Sequence, residues 1–213
     1  DSMKMYSDSA INFIGIVTSI DTVTIYGLVD SIKTITIYVY DTLFNPLTTH
    51  NAYGKQIEDL HFSPLDLYRK VSKFENPFDF MEESDVMHPL RKGYEEDFHL
   101  AKEYSPILQG PAGRVFQFPN APWSRRVSGT FSNWIAQEEP EKAHALLIPN
   151  RDNSYLVSVR SPLAHPVGAD QLCSQFPTGG GRVAAAGINQ LPETEVALFL
   201  QKFEAIFTQN VRK

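Results

Sequence analysis

Cysteine is nearly missing from this chain: Cys173 is the only one in 213 residues. That excludes a disulfide framework and a cysteine-held zinc site, and it suits a reducing cytoplasm. Long apolar runs are missing too. The most hydrophobic early stretch, residues 11–29, is interrupted by Asp21 and by Thr18, Thr22 and Thr24. It is too polar for a spanning helix, and it lacks the basic start and small-residue cleavage site of a signal peptide. The expectation is a soluble, cytoplasmic protein with no membrane partner. No Gly-Lys-Ser/Thr follows a glycine run, and no Gly-x-Ser-x-Gly elbow occurs, which removes the usual nucleotide-loop and serine-hydrolase signatures. The histidines at 50, 61, 88, 99, 144 and 165 show no close paired spacing. Asp59 and His61 come nearest to a metal pair, but two ligands do not make a site, so a structural role is expected for both.

What is present points to a folded protein. Hydrophobic residues make up 42% and charged residues 21%, enough for one good core or two modest ones. The net charge is −6, unevenly spread. Residues 105–213 carry 10 basic and 8 acidic side chains, and seven of those basic residues are arginine. Arginine's planar fork suits phosphate and carboxylate recognition. A balance this mild is no broad nucleic-acid footprint, but it leaves room for a compact anion site.

Three textures follow one another. Residues 11–44 are rich in β-branched residues and tyrosine and predict a three-stranded meander. From about Tyr53 the pattern turns helical. Ser63 and Pro64 open one helix, Asn76 and Pro77 a second, and Leu90, Tyr94, Phe98 and Ala101 mark a third. The acidic run Glu95, Glu96, Asp97 reads as a solvated helix face. The tract at residues 110–114 is the candidate boundary. Beyond it the order is strand, helix (Val127, Phe131, Trp134 and Ile135 inward), two strands joined near Arg151-Asp152-Asn153, short helix, glycine loop, strand and a closing helix through Phe207. The fold class expected is α/β (α+β). A mixed β-sheet domain with flanking helices spans 111–213, after a helical connector at 51–110 and a β-rich segment at 1–50.

The tract FPTGGGRVAAAG stands out. One tight turn needs one or two glycines, yet Gly179, Gly180 and Gly181 come in succession, followed by Arg182. A loop of bare backbone can form an anion-binding concavity with the arginine at its rim.

Taken with SYLVSVRSP, GADQLCSQF and the closing helix, this tract resembles the C-terminal DHH-associated domain of the DHH phosphoesterase family. There a strand ending in Val-Ser-x-Arg-Ser precedes a short helix, a Gly-Gly-Gly-His loop and an Ala-Ala-Gly segment. YGKQIEDLHFSP, NPFDF, KGYEED and WSRRVSG extend the likeness, which runs from about Tyr53 to Phe207. The resemblance implies a substrate-binding domain that grips the phosphate end of a nucleotide or single-stranded nucleic acid. It implies that role for Arg160, Ser161, Gly179, Gly180, Gly181 and Arg182, with Arg125 and Arg126 as further candidates lining the cleft. Arg182 stands where most of the family has histidine. An arginine there binds phosphate but gives up no proton near neutrality, so position 182 is a binding residue and no catalytic residue is assigned. The Asp-x-Asp-Gly and Asp-His-His motifs that hold the family's catalytic manganese do not occur in this sequence. The expectation is a family member whose catalytic half is missing or replaced, binding no cofactor itself and meeting Mn2+ only if a catalytic domain is supplied. A homodimer or a separate catalytic chain is the partner this leaves open, and a purely structural module is the reading from another class.

Overall fold

The computed structural model describes residues 16–19, 22–29, 31–38, 57–75 and 77–211. The chain forms two compact units, Asp1–Phe98 with Arg125–Val127, and His99–Ser124 with Ser128–Lys213.

In the first unit, β1 (Ile16–Ser19), β2 (Thr22–Val29) and β3 (Ser31–Tyr38) form an antiparallel meander. The register sets Ile16 opposite Ile25 and Val23 opposite Ile37, in segments whose β-branched residues favour a strand. The meander is the one expected. The end of its expected third strand, residues 39–44, lies outside the described residues, as does Asn76. Helix α1 (Pro64–Val71) starts as its sequence dictates: Ser63 Oγ accepts the Asp66 N–H at 3.2 Å, and Pro64 fills the first helical position. It buries Leu67 and Val71. Helix α2 (Pro77–Glu83) buries Phe80, whose ring meets Phe74 edge-on at 5.5 Å. Helix α3 (Met87–Lys102) buries Leu90. Glu95 and Glu96 are exposed on it, but Asp97 is buried, so one member of the acidic run leaves the solvated face that charge patterning assigned to all three.

The second unit is a six-stranded mixed sheet with helices on both faces. Its strands are β4 (Leu108–Gly110), β5 (Gly113–Gln117), β6 (Ala143–Pro149), β7 (Ser154–Arg160), β8 (Gly179–Arg182) and β9 (Ala185–Pro192), in the spatial order β4-β5-β6-β7-β9-β8. Only β5 and β6 run parallel, and a parallel neighbour requires a crossover, here α4 (Pro122–Glu138). The tract at residues 110–114 lies inside this sheet. Gly110 pairs with Gly113 in the β4–β5 hairpin, and the two units divide after Phe98 instead.

Period-two alternation sorts the side chains. Val115, Ala145, Leu147, Val157, Val159 and Ile188 point to one face. They pack there with Leu172 and Cys173 of α5 (Ala169–Cys173) and with Phe199, Phe203 and Phe207 of α6 (Val196–Val211). Burying each large side chain contributes about 1.5–3 kcal/mol. Helix α4 covers part of the opposite face, where Phe131 meets Phe116 at 5.2 Å and Phe118 at 4.9 Å. Strand β6 is buried from Ala143 to Ile148, as a central strand covered on both sides must be.

Candidate functional site

The glycine tract is neither a turn nor a loop. Residues 179–182 are the edge strand β8, antiparallel to β9, with Gly180 opposite Gly187 and Arg182 opposite Ala185. Along a strand the amides point alternately to the partner and away, so the tract does not gather its N–H groups into one concavity.

The neighbourhood explains the glycines one by one. A Cβ on Gly179 would lie 1.8 Å from the Cys173 carbonyl oxygen. Gly181 has φ 145°, a conformation natural only to glycine, and a Cβ there would lie 2.5 Å from Ala186 Cα. Gly187 on β9 presses on the Val157 carbonyl, 2.8 Å from a would-be Cβ. Gly180 differs: nothing lies within 4 Å of its would-be Cβ. Three glycines are required by the protein's own backbone, and Gly180 alone stands over open space.

Register places the arginines. Arg114, His144, Arg160, Ala185 and Arg182 are successive cross-strand partners over β5, β6, β7, β9 and β8. They form one row on the face that carries α4. Arg160 and Arg182 are therefore two strands apart, about 10 Å between backbones, with only the methyl of Ala185 between them. The neighbouring row on the same face is Ser158, Gly187 and Gly180. The result is a nearly bare floor bounded at one end by two guanidinium groups.

The two arginines are held differently. Arg160 is half-buried; its Nε–H donates to Asn133 Oδ1 at 3.2 Å and its Nη1 to Ser158 Oγ at 2.9 Å. Arg182 is exposed and makes no side-chain hydrogen bond or ion pair among the described residues.

Two sequence expectations change here. Ser161, read as facing the substrate, is buried. Its hydroxyl lies 2.5 Å from the Val183 carbonyl and 2.9 Å from that of Val167, and it accepts the Ala169 N–H at 3.2 Å. It pins the β7–α5 connection to the β8–β9 turn. Arg125 and Arg126, read as cleft residues, are engaged within the first unit. Arg125 grips both oxygens of Asp59 at 2.9 and 2.7 Å, and Arg126 both oxygens of Asp97 at 2.7 and 2.9 Å. Asp59 is 1% exposed and Asp97 4%. These are structural ion pairs, the role expected for Asp59. Ser158 and Asn133 were missed. Alternation in Ser-Val-Arg could have given Ser158, but nothing local marks Asn133.

His144, buried in the arginine row, donates its Nε2–H to the Glu139 carbonyl at 3.2 Å. Burial is the main reason its pKa falls to about 4; the hydrogen bond to Glu139 opposes that fall. The unfolded chain, with a histidine near 6.5, takes up this proton first as pH drops. Stability contributed by neutral His144 is thus complete above pH 6.5 and declines as pH falls toward 4. The loss is roughly 3 kcal/mol over that window. Urea titrations at pH 7 and 4.5 should show it, and His144→Gln should flatten the difference; an unchanged acid limb in that variant contradicts the assignment.

No family model matches this chain, and no curated protein matches it. Solved structures do. RecJ from Thermus thermophilus, determined with Mn2+, is similar at 17% identity and a TM-score of 0.50, over 68% of this chain and 22% of RecJ. A pGpG-specific phosphodiesterase, PggH, from Vibrio cholerae is similar at 14% identity and a TM-score of 0.44, over 68% of this chain and 53% of PggH. The chain thus spans about a fifth of the length of RecJ and half that of PggH. Over that part it has the fold of RecJ.

RecJ was solved with manganese, but the residues described here do not match that ion. Among them no three His, Cys, Asp or Glu side chains are grouped to hold a metal, and Asp59 and Asp97 are gripped by arginine. The donor set of the described residues does not fit a metal ion. Among the described residues no helix is long and apolar enough to cross a membrane.

Proposed function

We propose that this chain binds the phosphate end of a nucleotide or single-stranded nucleic acid on the open face of β7, β9 and β8, as the substrate-binding part of a DHH-type phosphoesterase. The observation that carries this reading is the row Arg160–Ala185–Arg182 beside the bare row Ser158–Gly187–Gly180. Two guanidinium groups flank a floor without bulk, so a phosphate meets charge-assisted donors while the attached sugar lies close to the backbone. Arg182 acts as a binding group and not as an acid, because its proton is not released near neutrality. Ser161, Arg125 and Arg126 take no part, since their polar atoms are engaged elsewhere. Hydrolysis is assigned to metal ligands supplied from outside these residues, such as a separate catalytic chain, because the described residues offer no matching set.

Each charge-assisted hydrogen bond contributes roughly 1.5–3 kcal/mol. Arg182→Ala is therefore expected to weaken a phosphorylated ligand by about tenfold to a hundredfold. Because Arg182 is exposed, the melting temperature of that variant should barely move. The experiment titrates a 5′-phosphorylated oligonucleotide, its unphosphorylated counterpart and a nucleoside monophosphate against wild type, Arg160→Ala and Arg182→Ala. Tight binding of the monophosphate alone selects a nucleotide ligand; preference for the longer phosphorylated chain selects a nucleic-acid end. Added manganese should produce no turnover in any arm. If wild type treats the phosphorylated and unphosphorylated chains alike, the glycine strand is architecture and the structural-module reading replaces this one.

A further inference from the structure

The two arginines of the row differ in how they are held, and the difference has a source outside the sheet. Asn133 lies on α4, an exposed residue in the second half of the helix. Its carbonyl oxygen accepts from Arg160 Nε while Ser158 Oγ accepts from Nη1. Nη1 also reaches the Val159 carbonyl at 3.4 Å. A guanidinium group is planar, so acceptors on two of its nitrogens, Asn133 from a helix and Ser158 from the strand's own face among them, fix both its position and its plane. Asn133 fills no part of the core: it is exposed, while Phe131 and Ser132 just before it are buried. Its polar atom is spent on an arginine and not on a helix cap. Arg182, at the other end of the row, has no comparable brace among the described residues.

We propose that Asn133 is a positioning residue for anion binding. It holds the Arg160 guanidinium in its binding orientation before the ligand arrives, so that Arg160 is the pre-organised contact and Arg182 the adaptable one. This rests on the phosphate-binding reading above. Pre-organisation raises affinity by removing the ordering of a long side chain from the binding step. The loss of Asn133 should therefore weaken binding less than the loss of Arg160 itself, and only through Arg160. Lysine cannot reproduce a two-point braced fork, but it can replace an unbraced cation. Arg160→Lys should thus behave almost like Arg160→Ala, and Arg182→Lys almost like wild type.

The test is a double-mutant cycle on the full chain, with the 5′-phosphorylated oligonucleotide as probe. Asn133→Leu, close in shape but with no acceptor, should weaken binding about threefold to tenfold, within the range of one immobilised side chain. It should leave the melting temperature unchanged. Ser158→Ala should do the same. The Asn133→Leu effect should vanish in the Arg160→Ala background and persist in full in the Arg182→Ala background. Asn133→Asp, which keeps the acceptor oxygen, should preserve the discrimination between Arg160→Lys and wild type that Asn133→Leu narrows. Failure can be traced to its source. If Arg160→Ala leaves phosphate-dependent binding intact, the phosphate-binding reading fails and the positioning role with it. If Arg160→Ala weakens binding while Asn133→Leu does not, or if Asn133→Leu acts equally in both arginine backgrounds, only the positioning role is overturned.

Discussion

Gly179→Ala is expected to destabilise the second unit by about 3 kcal/mol or more, while Gly180→Ala, one residue along, leaves it as stable as wild type or slightly more so. The first substitution drives a methyl group to 1.8 Å from the Cys173 carbonyl oxygen, a backbone atom at the end of α5 that has no rotamer to retreat into. Gly181→Ala should be comparably harmful, since its φ of 145° disfavours any side chain and its neighbour is the backbone of β9. At Gly180 the added methyl meets nothing within 4 Å. Replacing glycine in a compatible strand conformation also reduces the entropy of the unfolded chain, by an amount worth about 0.4–1 kcal/mol. Under the proposed function the same methyl intrudes on the ligand floor, so Gly180→Ala should gain stability and lose phosphate affinity together. Calorimetric melting of the three variants, beside oligonucleotide titration of Gly180→Ala, reads both quantities. Equal melting temperatures for Gly179→Ala and Gly180→Ala would contradict the packing argument.

The second large effect belongs to the first unit. Asp97→Ala should cost about 3–5 kcal/mol, because it leaves the Arg126 guanidinium, 13% exposed, without the carboxylate that neutralises it. Asp59→Ala should cost a similar amount through Arg125, whose partner is buried still more completely. The penalty comes chiefly from stranding a charge and not from losing an attraction. The paired variant Asp97→Leu with Arg126→Met should therefore be markedly milder than Asp97→Ala alone. Chemical denaturation of single and double variants measures this directly. A double variant less stable than the single would show that the pair itself, and not the unpaired arginine, carries the effect.

Much of the fold is legible in the chain as a string. Ser63-Pro64 marks the start of α1, and the Phe199, Phe203 and Phe207 spacing marks the buried stripe of α6. Alternation marks β7, with Val157 and Val159 inward and Ser158 and Arg160 outward. These signals are local: a cap needs its next three residues, and a face needs only its own period. β4 was missed because three residues are too few to show a period, and β8 because glycine carries no side chain from which a period could be read. Asp97 and the Arg125–Arg126 pair were misplaced for a different reason. A charge and the residue that neutralises it are 29 or 66 positions apart here, and composition cannot distinguish a paired carboxylate from a solvated one.

The sequence by itself determined the order of the helices and of every strand but β4 and β8, the mixed α/β class, and the pairing of a bare glycine stretch with arginine, since these follow from propensity and period. Tertiary structure alone decided which arginines face outward together and which are tied up. It also decided which glycine is free and which three are wedged against backbone, and that Asn133 reaches Arg160 from another element. Each of these depends on register and on distances between segments far apart in the chain. In an antiparallel ladder, a shift of one residue would turn every side chain of β8 and β9 to the other face.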